Sequence, residues 1–224
     1  TAGAAVRASG RELWATLREL PRHRALLWFL LANFCFVDVL NTAVAYFAGL
    51  TAALFRPAAE AGVLTLFGHA YVGASGLDAF VVHLGLALNG LALLFGVLLG
   101  RATDRAPLAV IGASAAALLV ALVGGAAFGG TNPHGFVFTL VLGGAFGLCG
   151  IWTAGRQVVL VLAPPDKIGA YFGLYGITNK LSILGTVVYS IVFDLAASPP
   201  IGHRQAMLAQ SPQLCLGLVF LLMV

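Results

Sequence analysis

The sequence predicts an all-α integral membrane protein with six transmembrane helices, and three observations carry that prediction. Sixty per cent of the 224 residues are apolar and only 9% are charged. A soluble domain carries about 25% charged residues, so this chain cannot cover itself in water. Its apolar residues gather in six runs, at 25–55, 79–99, 107–128, 135–160, 169–195 and 206–224. Each can cross a hydrocarbon core of ~30 Å, which takes about 20 helical residues. Finally, the cations alternate between sides. Arg7, Arg11, Arg18, Arg22 and Arg24 precede the first run, Arg101 and Arg105 follow the second, and Arg156 and Lys167 follow the fourth. The opposite loops hold Arg56 and Arg204, and Lys180 lies inside a run. Cytoplasmic loops collect Lys and Arg, so both ends of the chain are expected in the cytoplasm. Topology accounts for the net charge of +4, and no nucleic-acid partner is implied.

Residues 1–24 read as a cytoplasmic linker, with 25–224 as the six-helix body. RELWATLREL places Leu13, Trp14, Leu17 and Leu20 at helical spacing, with Arg11 and Arg18 elsewhere on the wheel. This is an amphipathic helix on the inner leaflet or an ordinary linker helix. The first run is too long, and its flank too structured, for a signal peptide. At 31 residues it must tilt or project beyond the bilayer. The last run is still apolar at Val224, and the chain starts at Thr1 instead of Met, so both ends are expected to be cut or processed.

Many of the 28 glycines recur at four-residue spacing: Gly96 with Gly100, Gly125 with Gly129, Gly143 with Gly147, Gly169 with Gly173. Small residues one turn apart allow close helix packing in a membrane. Cys35, Cys149 and Cys215 fall in three separate runs with no paired spacing, so neither disulfides nor a metal site is indicated. GRATDRAP, at 100–107, is expected to form the cytoplasmic exit of the second span. There Gly100 would permit a tight turn, Asp104 would sit near a helix N-terminus and Arg105 would hold the loop inside.

Within LLANFCFVDVLNTAVAYF, Asp38, Asn41 and Thr42 stand at i, i+3 and i+4 and share one face. An unpartnered carboxylate at the bilayer centre costs a few kcal/mol. Lys180 is the expected partner: it lies about 17 Å beyond Gly169 and Asp38 about 20 Å beyond Ala25, at 1.5 Å per residue. In the fifth run Tyr171, Tyr175, Thr178, Ser182, Thr186 and Tyr189 fall within about 80° on a helical wheel. This polar stripe is expected to line a water- or solute-filled surface, although any single hydroxyl could satisfy backbone inside a bundle.

GASG at 73–76 resembles the serine motif of rhomboid intramembrane proteases, with His203 as the candidate base. However, Ser75 reads as a loop residue before a span, and the region of His83 and Asn89 lacks the His-x-x-x-Asn spacing of those enzymes. The enzyme reading is the alternative; a six-helix partner without transport is a third.

FLLANFCFVDVLNTAV, GRATDR, WTAGRQ, the double proline and AYFGLYGITNK together resemble the second half of a major facilitator superfamily transporter. The similarity is to the vacuolar-effluxer-like branch, which includes the fungal autophagy-related amino-acid effluxer. Phe172–Tyr175 followed by Lys180 is its most specific element. Pro107 and Val39 stand where that branch usually has glycines. The resemblance implies helices seven to twelve, with a solute site between this half and an N-terminal six-helix half, upstream or separate. It also implies a secondary transporter of a small solute, such as an amino acid, working by alternating access without a cofactor. A bacterial inner membrane fits better than a eukaryotic vacuole. Asp38, Asn41, Thr42, Tyr171, Tyr175, Thr178, Ser182 and Tyr189 are then the cavity candidates, and the first and fifth helices are expected to be neighbours.

Overall fold

The computed structural model describes residues 14–196 and 198–224. Arg7, Arg11 and Leu13 of the expected amphipathic flank lie outside the described residues. Of that flank, residues 14–19 are helical and lead through a 3-10 turn, Leu20–Arg22, into the first long helix. Trp14 is exposed beneath the Arg18 guanidinium, whereas Thr16 and Leu20 are buried.

The body is helical throughout, apart from one small ribbon. In chain order the helices are α1 (Arg24–Glu60), α2 (Gly73–Arg105), α3 (Pro107–Phe128), α4 (Pro133–Leu162), α5 (Ile168–Leu181), α6 (Leu184–Asp194), α7 (Pro199–Leu208) and α8 (Ser211–Leu221). Among the described residues, α1, α2, α3, α4 and the α5–α6 pair are long and apolar enough to cross a membrane, making five. The sixth expected run is divided between α7 and α8. Pro212 explains that division, because it has no N–H to continue the helix from the Leu208 carbonyl.

The α3 bounds match the apolar run 107–128, while α2 overruns its own run at both ends. It starts at Gly73, so Ser75 belongs to its first turn and not to a loop. It also takes in GRATDR, which places Gly100 inside the helix. The turn falls one step later, on Ala106, whose backbone (φ −147°, ψ 65°) has left the helical region that a following proline disfavours. Between α1 and α2, Thr65–Leu66 pairs antiparallel with His69–Ala70. The two-residue turn between them, Phe67–Gly68, has positive φ at both positions (50° and 81°), as a tight hairpin requires.

Packing is tightest between α3 and α4. A Cβ added at Gly143 would sit 2.7 Å from the Ala117 carbonyl oxygen, and one at Gly147 would sit 3.0 Å from Leu118 Cβ. This is the close approach that small residues one turn apart allow. Gly169 and Gly173 have open space beside them, so their spacing serves no such contact. The core beneath is aromatic and aliphatic: Phe55 meets Phe80 and Phe136 edge-on, with ring centroids 5.2 and 5.0 Å apart.

Candidate functional site

Polar side chains of α1 meet polar groups of α5 and α6 along one seam. Asn33 donates to Asn179 Oδ1 (2.7 Å), Asp38 accepts from the Gly185 N–H (2.6 Å), Thr42 lies 3.4 Å from the Thr186 hydroxyl, and Tyr46 bonds Ser190 (2.6 Å). The sequence separations are 146, 147, 144 and 144 residues. Nearly constant separation means that α1 and the α5–α6 stretch run parallel and in register, so each polar residue finds its counterpart at its own depth.

Asp38 sits where the fifth span breaks. Ser182 and Ile183 interrupt the helix between α5 and α6. The Thr178 and Ser182 hydroxyls donate back to the Tyr175 and Thr178 carbonyls, both at 2.8 Å, a pattern that bends helices. In an unbroken helix the Gly185 N–H would reach the Leu181 carbonyl; here it reaches the Asp38 carboxyl. Gln213 Nε2 donates to the same oxygen at 2.6 Å, and Gln210 Nε2 donates to the Gly185 carbonyl at 3.1 Å. Asp38 is fully buried, and Gln210 is 2% exposed. The other carboxyl oxygen of Asp38 and Gln210 Oε1 are both buried without a donor among the described residues. Only glycine fits at 185, since a Cβ there would lie 2.6 Å from Thr42 Oγ1, 2.7 Å from Gln210 Oε1 and 3.1 Å from Asp38 Oδ2. A cavity of about 30 Å³, bordered by Thr42, Tyr46, Tyr189 and Gln210, opens beside the cluster.

The expected Asp38–Lys180 ion pair is not formed. Lys180 is exposed, and among the described residues the one salt bridge joins Lys167 to Glu19. Matched depth was correct as arithmetic, but the helix break brings the backbone of Gly185, and not the ammonium of Lys180, against the carboxyl. The tyrosine stripe is likewise no open wall within these six runs. Tyr171, Tyr175, Ser182 and Tyr189 are buried. Tyr175 stacks on Phe29 with centroids 6.5 Å apart, and Tyr189 stacks on Tyr46 at 4.1 Å. The stripe is the face by which the fifth span packs on the first, because α1 offers it a matching row of polar and aromatic side chains.

Asn41 is half-buried and makes no side-chain hydrogen bond among the described residues. Asp104 and Arg105 are exposed at the end of α2 and enter no ion pair among the described residues. Ser75 is exposed on the first turn of α2, while His203 is buried and bonded to Tyr189 (2.8 Å), so the two are not a nucleophile and its base. Gln210 and Gln213 escaped the sequence reading. Their signal was two glutamines one turn apart within QSPQ, at the head of an apolar run.

At the cytoplasmic end expected from the arginines, Lys167 Nζ donates to Glu19 Oε2 at 2.5 Å. The hydrogen bond and charge of Lys167 hold the Glu19 carboxyl below its ordinary range, and Glu19 in turn raises Lys167. This contact ties the N-terminal helical segment to the connection before α5.

A buried carboxylate at a helix break, inside an apolar bundle, belongs to membrane proteins that handle solutes or ions and not to passive anchors. The chain belongs to the vacuole effluxer Atg22-like family, which matches it over residues 2–224. That is a family of membrane transporters. No curated protein matches the chain.

Proposed function

We propose that this chain is the C-terminal six-helix half of a major-facilitator-type secondary transporter, helices seven to twelve, moving a small solute by alternating access. The observation that carries this reading is the broken fifth span docked on Asp38 of the first. Discontinuous helices with polar groups at mid-membrane are the recurring way transporters build a site, and a buried intramembrane carboxyl marks function more often than packing. The second wall of the site comes from an N-terminal six-helix half, in the same chain or a separate one. Both ends of the half lie in the cytoplasm, α7 and α8 together supply the sixth crossing, and Asn41 faces the cavity. Amino acids are the solute class to assay first.

The experiment is counterflow of labelled amino acids in proteoliposomes containing the full-length protein. Exchange that saturates with solute is the expected result, and its absence for every amino-acid class would remove the substrate assignment. Single cysteines at Ala102 and Val63, in a background without native cysteines, test the orientation. They should react with an impermeant thiol reagent from opposite sides only; labelling from one side would overturn the topology.

A further inference from the structure

We infer that Asp38 is a proton-carrying site, occupied as a neutral carboxylic acid in this conformation, and that its proton is held between Asp38 and Gln210. The inference deepens the transport reading and rests on it only for the use of the proton; the protonation itself can be read without any solute.

The hydrogen bonds around Asp38 are one-sided. Both donors, Gly185 N–H and Gln213 Nε2, go to Oδ2 at 2.6 Å, and Oδ1 has none. An ionised carboxylate shares its charge over two oxygens and spreads its donors accordingly. A neutral acid does not: its carbonyl oxygen takes the donors and its hydroxyl must donate. The second buried acceptor without a donor, Gln210 Oε1, flanks the same glycine as the Asp38 carboxyl. One proton on Oδ1 turns that oxygen into a donor, and Gln210 Oε1, beside the same glycine, is the acceptor this assignment gives it. Without it, the bundle would bury a full negative charge, which costs far more than a neutral polar group.

Among the described residues, no ionised side chain offsets that charge. On α1 the titratable neighbours are Cys35 and Tyr46, the latter bonded to Ser190, and Arg24, Arg56 and Glu60 are exposed near its ends. The charged residues and histidines of α2 and α4 are exposed, and Cys149 of α4 lies against Thr153. From α5 come Tyr171, Tyr175 and an exposed Lys180; from α6, Tyr189 and an exposed Asp194. On α7, His203 bonds Tyr189 and Arg204 bonds the Gly129 carbonyl. The one titratable group of α8, Cys215, is exposed.

A sodium ion fits the site less well. A hard cation needs several oxygen ligands around it, whereas the adjoining cavity of about 30 Å³ is lined mainly by hydrocarbon from Val39, Leu50, Leu122 and Met207. That volume is about two to three times the minimum that holds one water, too little for an ion with its hydration shell.

Release is Asp38–COOH giving Asp38–COO⁻ and H⁺, the proton passing to water on the side toward which the seam opens. The ionised form then holds a charge satisfied by two N–H groups alone. Its stable state is one in which water reaches Oδ1, which requires α6 to move from α1 about the break at Ser182–Ile183.

Infrared difference spectroscopy on the full-length protein in lipid bilayers, titrated with pH and without solute, tests the inference. A carboxylic-acid C=O band is expected at neutral pH. It should shift on [4-¹³C]aspartate labelling, vanish in Asp38→Asn, and be unchanged when choline chloride is replaced by sodium chloride. Asn can keep the neutral pattern, accepting from Gly185 and Gln213 while donating to Gln210, so this variant should fold. The isotope shift needs no variant at all. In Gln210→Leu the band should survive at higher wavenumber, its hydroxyl having lost an acceptor. A band that Asp38→Asn leaves unaltered, whether or not labelled aspartate shifts it, or no band at all, would refute the inference while leaving flux measurements standing. A band that sodium abolishes would make the site a sodium site instead.

Discussion

Replacing Gly185 by alanine tests the docking of the broken helix on Asp38 with a single methyl group. The added carbon would enter space held by Thr42 Oγ1 at 2.6 Å, Gln210 Oε1 at 2.7 Å and Asp38 Oδ2 at 3.1 Å. Distances below about 3 Å require something to shift, and the three oxygens, two from α1 and one from the turn before α8, cannot all retreat together. Overpacking of this kind costs about 1–3 kcal/mol. Displacing the Gly185–Asp38 and Gln210–Gly185 bonds adds about 1 kcal/mol for each bond lost. Against these stands the helix preference for alanine over glycine, about 1 kcal/mol. The net expectation is a destabilisation of roughly 3 kcal/mol, or about 6–12 °C in apparent Tm for a chain of this size. Gly173→Ala is the control: nothing lies within 4 Å of its added Cβ, so it should gain a few tenths to about 1 kcal/mol from helix preference alone. The assay is thermal unfolding of both variants in the same detergent, followed by tryptophan fluorescence. If Gly185→Ala melts with Gly173→Ala at or above wild type, α6 does not rest on Asp38, and both the site and the proton inference lose their geometry.

Lys180→Met should change stability by less than about 0.5 kcal/mol, as exposed substitutions do. In a double-mutant cycle with Asp38→Asn its coupling should stay within about 0.5 kcal/mol, and a coupling well above 1 kcal/mol would restore the ion pair. The Glu19–Lys167 contact should depend on pH in a defined way. The lowered Glu19 adds stability that is present above its unfolded value of 4.5 and lost as pH falls through the lowered one. The raised Lys167 adds stability present below 10.5 and lost as pH rises through the raised one. Amide exchange of residues 14–22 should therefore be protected across the neutral range and rise at both extremes, after correction for the intrinsic rate. Glu19→Gln should abolish the acid transition, and an unchanged acid limb would assign it elsewhere.

The spans were legible because hydrocarbon thickness sets a length that apolar runs must meet, as α3 does residue for residue. Asp38 was legible as an anomaly for the same reason. Its partner was not, because depth arithmetic assumes an unbroken helix. The break at Ser182–Ile183 depends on an N–H finding a carboxyl on another span, which no local pattern in the fifth run records. The stripe posed a related ambiguity: a polar face can meet water or another polar face. What decided it was the row Asn33, Asp38, Thr42 and Tyr46 on the first span, read in the sequence only as far as Asp38 and Thr42. The glutamines of α8 and its approach were missed because the last run was fitted by position.

Two kinds of interface now coexist in one bundle, and their contrast indicates where motion can occur. Between α3 and α4 the contacts are apolar and close, with Gly143 and Gly147 seated on the Ala117 carbonyl and Leu118. Separating those helices would forfeit dispersion contacts that lipid tails replace poorly in so narrow a groove. Along α1 and α6, beside the Tyr46–Tyr189 stack, the contacts include hydrogen bonds: Thr42 with Thr186, Tyr46 with Ser190, Asp38 with the Gly185 N–H. Water can substitute for each of these at small net cost. The second seam therefore opens more cheaply than the first once water can enter it, and its opening needs no stretching of a continuous helix, since α5 and α6 are already parted at Ser182. A charge appearing on Asp38 would favour that opening most, because the water that separates the helices is also what solvates the carboxylate.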